Sequence, residues 1–121
     1  MSEANPSLQR LHVGARMSEA AIFNRVVYLA GQVPDDLTQD IKGQTAQVLA
    51  MVDKLLHEAR TDKAHILMAQ IFLADLADFA GMNEVWDAWV DQDSPPARAC
   101  GAADLGSPDM KVEVIITAAV K

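Results

Sequence analysis

The spacing of apolar and polar residues changes period along this chain, and those changes outline its elements. Leu8–Val13 alternates, with Leu11 and Val13 set against Arg10 and His12, and Ser18–Asn24 places Ala21 and Phe23 on one face, so both segments predict strands. Asn24-Arg25 predicts a tight turn into Val26–Ala30, an unbroken run of β-forming residues that stops at Gly31 and Pro34. From Ile41 the period lengthens. Val48, Leu49, Val52, Leu55, Leu56 and Ala59 recur at helical spacing, while Asp53, Lys54, His57 and Glu58 fall off that stripe, which predicts an amphipathic helix. Ile66–Ala74 (ILMAQIFLA) is apolar at both parities, as a central strand covered on both faces would be. A second helix is predicted over Leu76–Val90, with Asp75 or Asp78 available to cap it and Phe79, Met82, Trp86, Trp89 and Val90 as its buried stripe, Asn83 sitting among them. Ser94-Pro95-Pro96 ends that helix, because proline lacks the N–H donor and forces the residue before it towards extended geometry. Arg98–Ala103 and Lys111–Val120 are the last predicted strands, joined through a Gly-Ser-Pro-Asp turn, and Met1–Ser7 reads as a polar arm.

This order of periods predicts an α/β (α+β) fold in one domain over residues 1–121: a mixed sheet of about six strands with two helices packed on one face. The fourth and last strands carry apolar residues at both parities, so the sheet face away from the helices is expected to be buried against copies of the same chain.

Composition narrows the function. At 121 residues and 50% hydrophobic, the chain suits one modest core. Its formal charge of −7, with only 10 scattered Lys and Arg, argues against a nucleic-acid binder, which needs clustered cations to neutralise phosphate. The single cysteine forbids an internal disulfide and the polar N-terminus lacks a secretory core, so a cytoplasmic location is the expectation. No apolar run approaches the roughly 18 residues of a membrane span. His12, His57 and His65 share no ligand spacing, and there is no phosphate-cradling glycine loop, Ser-His-Asp signature or CxxC pair, so neither a metal nor a cofactor is expected.

The chemistry concentrates between Pro95 and Val114. Arg98 and Cys100 lie two apart on a predicted strand and therefore share a face. The planar guanidinium suits a carboxylate, although spacing alone favours an ordinary surface arginine on an edge strand. Cys100 reads as a small buried hydrophobe unless something lowers its pKa. Glu113 puts a carboxylate in an otherwise apolar strand, where it either pairs with Arg98 across the sheet or holds a water as general base. Asn83 reads as a satisfied packing group.

Several segments in order resemble the RidA/YjgF family, also known as endoribonuclease L-PSP or reactive-intermediate deaminases. They are Leu29-Ala30-Gly31-Gln32-Val33-Pro34, Phe72–Phe79 followed by Met82-Asn83 and Trp86, Pro96-Ala97-Arg98-Ala99-Cys100, and Lys111-Val112-Glu113-Val114. The resemblance extends from about Arg10 to Val120. Arg16-Met17-Ser18 and Asp87-Ala88-Trp89-Val90 are more similar to a YoaB-like branch than to archetypal RidA. The resemblance implies a chorismate-mutase-like fold and a homotrimer with ligand clefts between subunits. It also implies a small carboxylate substrate, a 2-imino or 2-enamino acid released by pyridoxal-phosphate-dependent dehydratases and hydrolysed to a 2-keto acid and ammonia. By that resemblance Arg98 grips the substrate carboxylate, while the Cys100 backbone and Glu113 place the attacking water. Met17 and Ala30 stand where archetypal members carry a cleft tyrosine and a serine, so Met17, Ala30 and Gly31 would line a more apolar pocket. A non-catalytic 2-keto-acid binder of the same fold is the alternative. Ribonuclease activity, suggested by the family's other name, fits poorly with the acidic charge.

Overall fold

The structure, a computed structural model, describes residues 7–121, so the arm predicted over Met1–Ser7 lies outside the described residues except for Ser7. Six strands and two α-helices follow in the order β1 (Gln9–Val13), β2 (Ser18–Phe23), β3 (Val26–Leu29), α1 (Ile41–Glu58), β4 (Ile66–Leu73), α2 (Phe79–Trp89), β5 (Ala97–Ala102) and β6 (Val112–Ala119). The strands form one mixed sheet ordered β1-β2-β3-β6-β4-β5, antiparallel throughout except for the β4–β5 pair, whose crossover is α2. Both helices cover one face, in agreement with the predicted fold class.

The expected Asn24-Arg25 turn is a two-residue hairpin loop: Phe23 pairs with Val26, and both loop residues take positive φ, 52° and 64°. That geometry matches the twist of the flanking strands. The Asp40 side chain caps α1 by accepting from the Gly43 N–H at 2.9 Å. At the other end of α1, Arg60 turns into the left-handed region, and the N–H groups of Arg60 and Thr61 return to the carbonyls of His57 and Leu56. The α1 stripe (Val48, Leu49, Val52, Leu55, Leu56) packs on Val112, Val114 and Ile116 of β6 and on Ala69, Ile71 and Leu73 of β4, all buried. Each large side chain removed from water there contributes on the order of 1.5–3 kcal/mol.

Three expectations need adjustment. β4 is interior, hydrogen-bonded to β6 and β5, yet it lies one strand from the sheet edge and not at its centre. A register shift between Ile66 and Met68 turns Ile66 towards the helices along with Ala69 and Ile71, and leaves Leu67 49% exposed. The second helix begins with a 3-10 turn over Leu76–Asp78, capped by Asp75 accepting from Ala77, and becomes α-helical only at Phe79. Within it Met82 and Trp86 are buried, whereas Phe79 is 42% exposed and Trp89 is half-buried with its indole N–H donating to Asp53.

The face away from the helices carries Tyr28 and Leu67, both about half exposed, with Met68, Phe72 and Ile115 half-buried beside them. No helix among the described residues is long and apolar enough to cross a membrane. No group of three or more His, Cys, Asp or Glu side chains among them is placed to hold a metal ion.

Candidate functional site

Arg98 and Cys100 sit on β5, the edge strand that begins directly after the Pro95-Pro96 stop. In the parallel register they lie beside Ala69 and Ile71, whose side chains are buried under the helices, so both point to the helix side of the sheet. There α2 receives the guanidinium. Arg98 Nη1 donates to Asn83 Oδ1 at 2.6 Å, and its Cζ lies 5.4 Å from the Trp86 ring centre and 6.0 Å from that of Phe79. Cation–π contact and a charge-assisted hydrogen bond fix the plane of the fork. Among the described residues no carboxylate pairs with Arg98. Its charge is therefore positioned but not neutralised, the state a carboxylate receptor requires. The Cys100 thiol is pushed above its ordinary pKa by burial, which the Arg98 charge only partly offsets, so it stays protonated at neutral pH and is a poor nucleophile.

Glu113 occupies the opposite side. Its neighbours Val112 and Val114 are buried towards the helices, so the pleat directs Glu113, paired with Phe72, to the other face. The carboxylate lies against Gly31: a Cβ on Gly31 would run into Oε2, so any side chain at that position requires the Glu113 carboxylate to move. Gln32 anchors this approach by exchanging backbone hydrogen bonds with Val114 at 2.8 and 3.0 Å, while its side-chain amide donates to Glu19 Oε2 and the Ala30 carbonyl. Ala30 in turn donates its N–H to the Glu19 carbonyl. Met17 lies in the β1–β2 connection, half exposed, its carbonyl accepting from Gly14 N–H at 2.8 Å.

The predicted residues thus fall into two groups. Arg98 and Cys100 are together on the helix side at the β5 edge. Glu113, Gly31 and Ala30 are together around the β3–β6 junction, with Glu113 on the other face. A direct Arg98–Glu113 bridge within one chain, one of the two readings open from sequence, is ruled out by the pleat and by the intervening strand β4. Sequence reasoning treated Asn83 as packing and Phe79 and Trp86 as core, and so missed that all three hold Arg98. Their spacing, i, i+4 and i+7 along one face of α2, was the available signal.

The family model for Endoribonuclease L-PSP matches residues 7–120. The chain is 48% identical over 113 residues to a RutC family protein of Haemophilus ducreyi, covering 93% of this chain and 97% of the relative. It is 44% identical over 114 residues to the RutC family protein YoaB of Escherichia coli, covering 94% and 99%. Among solved structures, NMB1025 of Neisseria meningitidis, a member of the YjgF protein family, superposes with a TM-score of 0.92 at 44% identity, over 94% of this chain and 95% of the other. An uncharacterized protein from Pseudomonas aeruginosa superposes with a TM-score of 0.91 at 40% identity, over 94% and 99%.

Proposed function

Since the chain belongs to the RidA/YjgF (endoribonuclease L-PSP) family, close to its RutC/YoaB-like branch, we propose that it is an enamine/imine deaminase hydrolysing a small 2-imino acid to a 2-keto acid and ammonia. The observation that carries this reading is the Arg98 guanidinium, oriented by Asn83, Trp86 and Phe79 and left without a carboxylate partner among the described residues. It takes the substrate carboxylate, which sets the adjacent C2=N carbon at a fixed distance from the site walls. That carbon is already electrophilic. Water adds to C2, its proton passes to nitrogen, and the resulting carbinolamine loses ammonia as the C2–O bond becomes a carbonyl. Orientation and one placed water supply most of what such a reaction needs, so a half-buried, protonated thiol at Cys100 is no obstacle.

Glu113 is the group proposed to hold that water and take its proton, with the Cys100 backbone helping to place it. Because Arg98 and Glu113 are on opposite faces of one sheet, the reading requires a homotrimer in which each cleft lies between two copies and joins Arg98 of one to Glu113 of the other. The half-exposed apolar face at Tyr28 and Leu67 favours such association. Met17, Ala30 and Gly31 are proposed to give the cleft its apolar wall.

One observation favours a second reading. Both positions that would bring hydroxyls to the cleft are apolar here, which suits a non-catalytic receptor for 2-keto acids. The two readings separate in one experiment. With a 2-imino acid generated in situ, release of ammonia or keto acid is expected to exceed the buffer rate, and Arg98→Ala to abolish the excess. No acceleration across several side chains, together with calorimetric binding of a stable 2-keto acid that Arg98→Ala removes, selects the receptor.

A further inference from the structure

A second cleft opens on the helix side of the molecule, away from Arg98. It lies between α1 and the segment leaving β3, and its volume is about 450 Å³, within the range of small-ligand sites. Its floor is apolar: Met51 and Leu55 from α1 face Val33 across it.

The charged groups around that floor are arranged unusually. Lys54 and Glu58 are one helical turn apart on α1 and would ordinarily pair. Glu58 instead binds His12 Nε2 at 2.6 Å, and His12 takes a left-handed backbone, φ 51°, a conformation uncommon for a residue with a Cβ. Lys54 is left at the cleft with no hydrogen-bond or ionic partner among the described residues. On the opposite wall Glu19 is half-buried, with one carboxylate oxygen accepting from the Gln32 side-chain amide at 3.2 Å, and Gln32 is only 5% exposed. The Asp35 carboxylate adds a further acceptor at the rim. One wall thus offers an ammonium, the other offers carboxylates, and a hydrophobic floor lies between them.

We propose that this cleft is a binding site for a free α-amino acid with an aliphatic or thioether side chain. The ligand carboxylate meets Lys54, its ammonium meets Glu19 and Asp35, and its side chain lies on Met51, Leu55 and Val33. A ligand with a single charge leaves one wall unanswered. Its α1 wall, Met51, Lys54 and Leu55, lies away from the sheet face that self-association would cover. It shares Gly31 with the proposed deaminase site but no charged residue, so substitutions at Lys54 or Glu19 and at Arg98 let either assignment fail alone.

The test uses the full chain carrying Arg98→Ala, which silences the proposed 2-keto-acid site. Amide resonances are followed by NMR during titration with L-methionine and L-leucine, and with 4-methylpentanoate and isopentylamine as single-charge analogues. Saturable shifts at Gln32, Val33 and Leu55 are expected for both amino acids, with affinity at least fivefold weaker for each analogue. Lys54→Ala and Glu19→Gln, added separately, are each expected to weaken amino-acid binding at least fivefold. Lys54 is exposed on a helix surface, so its loss leaves folding intact, which the unchanged remainder of the spectrum verifies. Absence of saturable shifts up to tens of millimolar, equal binding of the analogues, or indifference to both substitutions overturns the proposal.

Discussion

Asn83 shows how little separates a packing residue from a functional one. Its amide sits on an α2 face that is otherwise apolar, and its Oδ1 spends its hydrogen bond on the guanidinium of Arg98 at 2.6 Å. A hydrogen bond to a charged group contributes about 1.5–3 kcal/mol, and here that energy fixes the direction of the fork rather than its charge. Asn83→Ala leaves the cation in place, stacked on Trp86, but free to swing. Under the proposed chemistry the variant is expected to raise KM about tenfold, since each ~1.4 kcal/mol is a factor of ten, with a smaller change in kcat. Steady-state kinetics on a 2-imino acid generated in situ reads both numbers. A fall in kcat at unchanged KM would show instead that Asn83 contacts the reacting atoms. Cys100 is the contrasting case: it attracts attention as the only thiol, yet burial keeps it protonated.

Among the elements, the helices were legible from sequence and the finer features of the strands were not. The α1 stripe needed only the helical period, because one face of a long helix is buried whatever lies beneath it. The β4 pattern misled for a local reason: the irregularity at Leu67 shifts the parity, and a bulge leaves no mark in a run where every residue is apolar. The capped 3-10 turn before α2 was hidden because Asp75 and Asp78 are equally good caps on paper, and only Asp75 accepts a backbone N–H. The end of α1 carries a strain that is testable. Arg60 adopts φ 65° after the cap residue Ala59, with Arg60 N–H bonded to the His57 carbonyl at 3.0 Å and Thr61 N–H to that of Leu56 at 2.9 Å. This closure usually employs glycine, since an L-residue pays about 1–2 kcal/mol there. Arg60 is exposed and makes no ion pair among the described residues, so Arg60→Gly is expected to stabilise the protein by about 1 kcal/mol, less the entropy glycine returns to the unfolded chain. Urea unfolding measures it, and a lower midpoint at unchanged slope would show that the arginine side chain contributes more than its backbone costs.

At the scale of the whole molecule, what the sequence conceals is the division of the site. Arg98, Cys100 and Glu113 lie within sixteen positions of one another, and that proximity suggested convergence; the pleat and the interposed β4 then sent guanidinium and carboxylate to opposite faces. Which strand enters between two others is a long-range property that no local pattern encodes. The division makes oligomerisation a condition of the proposed chemistry, and this can be tested without touching a proposed catalytic group. Ile115 is on β6, two residues from Glu113 and on the same uncovered face, half-buried within one chain. In an isolated chain Ile115→Asp places a carboxylate where water still reaches it, at modest cost to folding. In an assembly that buries this face the same carboxylate would be desolvated in every copy, a penalty of several kcal/mol per ion. Light scattering is therefore expected to give three times the 13.1 kDa chain mass for the parent and a single-chain mass for Ile115→Asp. The variant should keep its circular dichroism spectrum and lose imine hydrolysis, although Arg98 and Glu113 are both intact. A monomeric variant that hydrolyses imino acids at the parent rate would show that one chain suffices, and with it that the carboxylate holding the water is some group other than Glu113.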